Sequence, residues 1–304
     1  MFINATLLAV VARVTTPIVL CASGGLYCQL AGAPNITLEG AMLMAAFAGV
    51  AGSYYTGSAL VGLLCAILGS LLINILFGFL HLRLGGEGTI TGFAINSLCL
   101  GLTTFLLRSM FNVTGTLVDD RIVGLPKYSI PILKDIPILQ QLFTNHTLCT
   151  YFSWIFIILT YIIFYRTKYG MNIRACGENP TAASSVGVSV TTIRWSTIMI
   201  SGLMSGLAGA QISLGYLSMF SENMTSGRGF IALAAIMLSG GRPIAMFVAA
   251  LLFGVAEGLS NQAQLTAISS HLILTLPYLM VIVVLLLQPE QMKALKMRIR
   301  QMKG

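Results

Sequence analysis

The stretch RTKYGMNIRACGENPTAASSVGVS, Arg166 to Ser189, is the longest polar interruption between apolar spans in the second half of the chain. It reads as a short helix lying outside a membrane and as a handle for a soluble partner, against the plainer alternative of a solvated loop. Asn179 is a favoured N-cap, Pro180 suits the first helical position where no amide hydrogen is needed, Thr181 to Val186 continue the turn, and Gly187 suits a left-handed stop. A capped helix of roughly two turns follows. Its flanks carry Arg166, Lys168, Arg174 and Arg194 against Glu178 alone, which assigns the segment to the cytoplasmic side, where short basic loops are retained.

On both sides of this stretch the chain is apolar. Of its 304 residues 56% are hydrophobic and only 9% charged, with a mean hydropathy of +0.88, whereas a soluble domain carries about 25% charged residues. We read an all-α polytopic membrane protein forming one integral-membrane domain over residues 1–304. Runs able to cross about 30 Å of hydrocarbon lie at Thr6–Leu30, Ile36–Tyr54, Ser58–Leu80, Thr89–Phe111, Leu148–Tyr165, Thr192–Leu217, Phe230–Ser239, Ile244–Ser260 and Ser270–Leu287. They predict a bundle of about 8–9 transmembrane helices. Phe230–Ser239 is short for a full span and fits a half-helix supported by protein rather than lipid.

Charge sets the orientation. The tail 289–304 holds Lys293, Lys296, Arg298, Arg300 and Lys303 against Glu290, which places the C-terminus in the cytoplasm. Counting back puts eleven basic residues inside, namely these five with Arg83, Arg166, Lys168, Arg174, Arg194 and Arg242. Five fall outside (Arg108, Arg121, Lys127, Lys134 and Arg228), and Arg13 lies within the first span. The net charge of +8 is therefore mostly a topology signal plus attraction to anionic lipid, with no basic and aromatic interleaving that suggests nucleic acid. The opening MFINATLLAV lacks a basic region before its apolar run, so the first span is expected to be retained.

The sizeable external segment, 112–147, contains Asp119, Asp120, Arg121, Lys127, Pro131, Lys134, Asp135 and Pro137. Two readings stand side by side: a docking surface for an extracytoplasmic partner, or an idle surface loop. Within the apolar runs, Arg13 must reach an interface or pair inside the bundle. Glu39 opens the second span, where the helix dipole favours a carboxylate, and Glu257 with Asn261, Gln262 and Gln264 either lines a wet vestibule or marks a helix end. Gly202, Ser205, Gly206 and Gly209 form a small-residue stripe that permits close helix approach.

Other chemistry finds little support. The six cysteines, Cys21, Cys28, Cys65, Cys99, Cys149 and Cys176, show no metal or redox spacing and read as small core residues. His81, His146 and His271 fall apart from one another, and no G-x-x-x-x-G-K-S/T loop occurs, so the chain is expected neither to be an enzyme nor to bind ATP itself. N-x-S/T triplets at Asn4, Asn35, Asn112, Asn145 and Asn223 carry meaning only in a secreted eukaryotic context.

Five segments carry a family resemblance: NITLEGAMLMAAF (Asn35–Phe47), TGFAINSLCLGLT (Thr91–Thr103), YGMNIRACGENPTAASSVGV (Tyr169–Val188), SGLMSGLAGA (Ser201–Ala210) and GFIALAAIML (Gly229–Leu238). In this order the chain resembles the permease subunits of bacterial ATP-binding-cassette importers, in the simple-sugar and nucleoside branch related to branched-chain amino acid permeases. The resemblance implies that the loop 166–191 holds a coupling helix that docks on the ATPase subunit, at Gly170, Arg174, Gly177, Glu178, Asn179, Pro180, Ala182, Ala183 and Gly187. It further implies a multi-pass protein of the bacterial cytoplasmic (inner) membrane that forms half of a translocation pathway. A second and different permease, two ATP-binding subunits that carry the nucleotide, and an external substrate-binding protein would complete the importer. GGRPIA (Gly240–Ala245) departs from relatives that carry tryptophan or lysine before the proline. Nucleosides are the first expected cargo, simple sugars the second and a ribityl-containing vitamin such as riboflavin the third; the alternative of a different class is an ion-coupled secondary carrier.

Overall fold

The apolar runs become helices and the polar interruptions become the joints between them. A computed structural model describes residues 5–129 and 144–263. In chain order the helices are α1 (Ala5–Leu30), α2 (Leu38–Thr56), α3 (Ala59–Gly78), α4 (Gly88–Phe111), α5 (Leu148–Arg166), α6 (Lys168–Glu178), α7 (Pro180–Ser185), α8 (Val190–Ala210), α9 (Arg228–Leu238) and α10 (Pro243–Ala263). Two π-helical segments, Phe79–Arg83 and Gln211–Leu217, extend α3 and α8.

Six of the described helices, α1, α3, α4, α5, α8 and α10, are long and apolar enough to cross a membrane. Two other predicted spans fall short. In α2, Glu39 and a polar final turn, Ser53 to Thr56, lower the hydropathy, yet twelve of its nineteen residues are buried, so neighbouring helices rather than lipid surround it. With eleven residues, α9 covers only about 16 Å at 1.5 Å per residue, as expected of a half-helix. The predicted run Ser270–Leu287 and the basic tail 289–304 lie outside the described residues.

At the centre α8 packs on both α1 and α2, which scarcely touch each other. The most apolar windows of α1 and α8 are each 83% buried, against 39%, 33% and 39% for α3, α4 and α5, which form the outer layer. On α3 the exposed Leu60, Leu64, Leu68 and Leu72 recur every four residues and give it a single apolar outer face. The small-residue stripe of α8 faces inward as its spacing predicts. A Cβ on Gly202 would press on Asn74 and one on Gly206 on Ile67 of α3, while Gly209 closes on the Met42 carbonyl of α2. All six cysteines are free thiols, and all but the half-buried Cys65 are buried.

The all-α expectation needs one correction. Strand β1 (Thr116–Leu117) pairs antiparallel with β4 (Phe220–Ser221), and β2 (Lys127–Ser129) pairs with β3 (Thr144–Thr147). These joints are long enough that their backbone groups must find partners, and short ladders supply them. Asn35, one of the N-x-T positions, is 1% exposed and donates to Asn74 Oδ1 (2.7 Å) and Ser201 Oγ (2.9 Å), so it is a buried tie and no glycan acceptor.

Candidate functional site

Two features stand apart from ordinary helix packing: a hook formed by α6 and α7, and a cavity where α2 and α9 begin. In the hook, Thr167 caps α6, its Oγ1 accepting from Gly170 N at 3.2 Å. Helix α6 is an addition to the single short helix that the sequence suggested; its signal was the buried face Gly170, Ile173 and Cys176 at three-residue spacing. A Cβ on Gly170 would collide with the Ile163 carbonyl of α5, and one on Gly177 with the Leu30 carbonyl at the end of α1. These glycines let α6 seat directly on two membrane helices. Tyr169 and Ser196 share a 2.6 Å hydrogen bond that ties α6 to α8, and burial pushes the Tyr169 hydroxyl above its ordinary value.

The cap read from the sequence is present: Asn179 Oδ1 accepts from Ala182 N at 3.0 Å, and Pro180 takes the first turn of α7. The helix ends at Ser185, one residue earlier than expected, and Gly187 turns the chain with φ +85°. The nine residues singled out for coupling fall into two sets. Glu178, Asn179, Pro180, Ala182 and Gly187 are exposed on the hook, beside Val186 at 78% exposure. Gly170 and Ala183 are buried in its base, and Arg174 and Gly177 are half-buried there. The Arg174 guanidinium lies 5.5 Å from the centre of the Tyr165 ring and borders a cavity of about 360 Å³ shared with Gly240, Gly241 and Arg242. The unusual GGRPIA turn therefore sits against the base of the hook.

The second feature is a cavity of about 690 Å³ bordered by α2, α4, α9 and α10. Glu39 is 7% exposed and reaches across to the start of α9. Its carboxylate accepts from Thr225 Oγ1 (2.6 Å), Gly227 N (2.9 Å) and Gly229 N (2.6 Å). A half-helix that begins inside a bundle leaves its first amides without partners, and a carboxylate satisfies both the hydrogen bonds and the dipole. Gly229 is required here because a Cβ would press on the Glu39 backbone at 2.5 Å. Next to it Arg228 forms an ion pair with Glu257 Oε1 at 2.6 Å. Sequence reading flagged both carboxylates but not their partners, which lie some 190 and 29 positions away in the chain. Phe93 of α4 and Phe230 of α9, stacked with centroids 6.0 Å apart, complete the wall.

The opposite end of α8 is different in kind. The first part of the segment 112–147 lies down on the bundle: Ser53 Oγ bonds both Val123 O and Val123 N at 2.9 Å, and Leu125 N donates to Leu214 O. Arg121 pairs with Asp119 at 3.1 Å and sits 4.1 Å from the centre of the Tyr54 ring. Donors from Arg121 hold the Asp119 carboxyl below the usual carboxylate range. Arg13 borders a separate cavity of about 200 Å³ together with Glu222. Residues 130–143 of this segment lie outside the described residues.

A sequence profile described as "Branched-chain amino acid transport system / permease component" matches residues 7–286. The guanosine ABC transporter permease protein NupQ of Bacillus subtilis (strain 168) is 33% identical over 282 residues, 88% of this chain and 87% of its own length. The nucleoside ABC transporter permease protein NupC of Lactococcus lactis subsp. cremoris (strain MG1363) is 29% identical over 284 residues, 90% and 89% of the two chains. Among solved structures, PsaBC from Streptococcus pneumoniae in complex with Fab has the same fold, with a TM-score of 0.56 at 16% identity over 98% of this chain and 96% of that one. A hook seated on membrane helices, a half-helix capped inside the bundle and a match along nearly the whole sequence agree, and the chain belongs to the branched-chain amino acid transport system / permease component family.

Proposed function

We propose that this integral-membrane chain is one permease subunit of an ATP-driven importer, and that its cargo is a nucleoside, with simple sugars next in order. The observation that carries the coupling role is the construction of the hook. Its foundation is fixed to α5 and α1 through Gly170 and Gly177, whereas its tip, Glu178 to Gly187, is a capped helical turn and mostly exposed. A capped helical turn on a fixed base passes a push from a docked ATPase subunit into the bundle; a solvated loop does not. In this reading the hook and the basic tail face the cytoplasm, ATP is held by the ATPase subunits, a second permease closes the open side of the 690 Å³ cavity, and an external binding protein delivers the cargo. The cargo choice is supported by the names of the relatives, a guanosine and a nucleoside permease.

The buried position of Ala183, at 3% exposure, sets how the hook is to be probed. A large side chain there would lift α7 off its own base, so it tests folding rather than docking. Glu178→Arg, at an exposed position, tests docking. The complete importer in sealed vesicles is expected to accumulate nucleoside only with ATP on the hook side, and Glu178→Arg to lower that uptake with membrane insertion intact. Uptake that survives ATP depletion and stops when the proton or sodium gradient is collapsed would establish the secondary carrier instead. Uptake of riboflavin but of no nucleoside or sugar would reassign the cargo.

A further inference from the structure

The polar groups around the inner cavity are almost all committed. Both oxygens of Glu39 accept bonds from the start of α9. The Asn96 side chain accepts from Gly40 N at 2.8 Å and donates to Ile36 O at 2.9 Å, and Ser260 donates to Ala256 O. Arg228 directs both Nε and Nη2 at the same oxygen, Glu257 Oε1, and gives Nη1 to Met224 O. Among the buried side-chain atoms of the lining residues, one is left over. Glu257 borders the cavity and is 9% exposed, and its Oε2 is buried with no hydrogen-bond partner among the described residues. A buried carboxylate oxygen without a donor is costly, and a ligand that brings an N–H or O–H group removes the cost.

Charge narrows the ligand further. With both carboxylates ionised, the charged side chains on the cavity wall, Glu39, Arg228 and Glu257, carry one negative charge in excess. The amides at the start of α9, which would otherwise attract a phosphate, are already bonded to Glu39. A phosphorylated cargo is therefore repelled and an uncharged one is not. The remaining wall is mostly apolar, with Leu43, Leu100 and Ile231 beside two aromatic rings. Phe93 and Phe230, 52% and 38% exposed, are stacked side by side at 26° between planes and offer a π face of the kind on which bases stack without regard to sequence. A volume of about 690 Å³ lies within the range of pockets that hold one small ligand.

We propose that this cavity is a passing site for an uncharged nucleoside, with the base on the Phe93–Phe230 pair and one ligand N–H or O–H donating to Glu257 Oε2. The proposal rests on the permease reading with nucleoside cargo. The site selects nucleosides over their monophosphates and does so in the permease itself, separately from the external binding protein.

The test uses the complete importer in vesicles, with uptake of guanosine, its 2′-, 3′- and 5′-deoxy analogues, N1-methylguanosine and GMP. Affinities of the unaltered binding protein are measured separately so that its own selection can be divided out. Glu257→Gln keeps an oxygen for Arg228 but replaces the free acceptor with a donor; it is expected to reduce kcat/KM for guanosine about tenfold or more. One of the donor-deleted analogues should show the same loss in the wild type and little further loss in Glu257→Gln, the non-additivity that marks a shared contact. Phe230→Leu, which stays apolar and leaves the ion pair intact, should lower kcat/KM for every nucleoside alike, and it carries the test should Glu257→Gln fail to assemble. GMP should not be imported even where the binding protein retains it. Wild-type kinetics and an unchanged analogue profile in both variants, in an importer that does take up guanosine, would overturn the site and leave the permease reading standing. A wild-type complex that imports none of these nucleosides would overturn the cargo assignment, and the site with it.

Discussion

The two ends of α8 carry polar interruptions that look alike in the sequence and behave differently in the fold. At its start, the hook satisfies its backbone within itself, through the Thr167 and Asn179 caps, and meets the bundle through glycines that bring α6 against α5 and α1. Beyond its end, the segment after Asn112 spends its groups on the bundle, at Ser53, Leu214 and the short pairing with Phe220 and Ser221. Leu117, Ile122 and Leu125 are buried there. Length and charge do not separate a docking surface from a cover; the destination of the backbone hydrogen bonds does. By that criterion the hook is left exposed, as the proposed docking role requires, and the described part of the opposite segment packs onto the ends of α2 and α8.

The contrast is broken most severely by Gly177→Val, which inserts an isopropyl group where α6 meets the Leu30 carbonyl. Overpacking of this kind costs about 1–3 kcal/mol, and here it displaces the base of the hook. Uptake should fall to background and the ATPase subunit should no longer co-purify; retention of both would show that the hook does not depend on its seat. Ser53→Ala probes the other end. Ser53 is fully buried and serves both backbone groups of Val123, so its loss should destabilise the protein by about 1–3 kcal/mol. The account expects a lower melting temperature with uptake per folded complex unchanged.

A smaller effect is expected of Asn179→Ala, which removes the α7 cap at a cost of about 1 kcal/mol. Uptake should decrease several-fold while the melting temperature of the whole protein hardly moves, because α7 is a peripheral turn. The smallest belongs to Asp119→Asn. The Asp119 carboxyl is held below its ordinary value by Arg121, so its contribution is complete above about pH 4 and is lost as pH falls through the still lower folded value. Melting curves of wild type and Asp119→Asn should differ by a small constant amount from pH 5 to 8 and converge on acidification. A difference that grows on the acid side would contradict the pairing.

The hook was legible because its signals are local. The sequence Asn179-Pro180, a glycine at Gly187 and basic flanks act within one or two turns, and the small-residue stripe of α8 is likewise a pattern on one helix. Helix α6 was missed because its apolar face is thin, with Gly170, Ile173 and Cys176 inside an otherwise polar stretch. The cavity was only half legible. An acidic residue opening a span pointed to Glu39, but its partners are the amides of Gly227 and Gly229, which no sequence spacing connects to it. Phe93 and Phe230 were indistinguishable from lipid-facing apolar residues until the fold set them side by side. The burial of Ala183 was hidden for the same reason: within α7 it looks like its neighbour Ala182, and only the packing below it tells them apart.

Cysteine labelling at the two ends tests the central claim most directly, since Val186 on the hook and Val118 on the opposite segment are 78% and 71% exposed. In a Cys65→Ser background, Val186→Cys and Val118→Cys react with a bulky maleimide in membranes opened to both sides, with and without the ATPase subunits. The account predicts that assembly slows labelling at Val186→Cys by about tenfold or more, as expected where a docked surface excludes solvent, and leaves Val118→Cys unchanged. Equal labelling of Val186→Cys in the free and assembled states would contradict the hook as the ATPase contact.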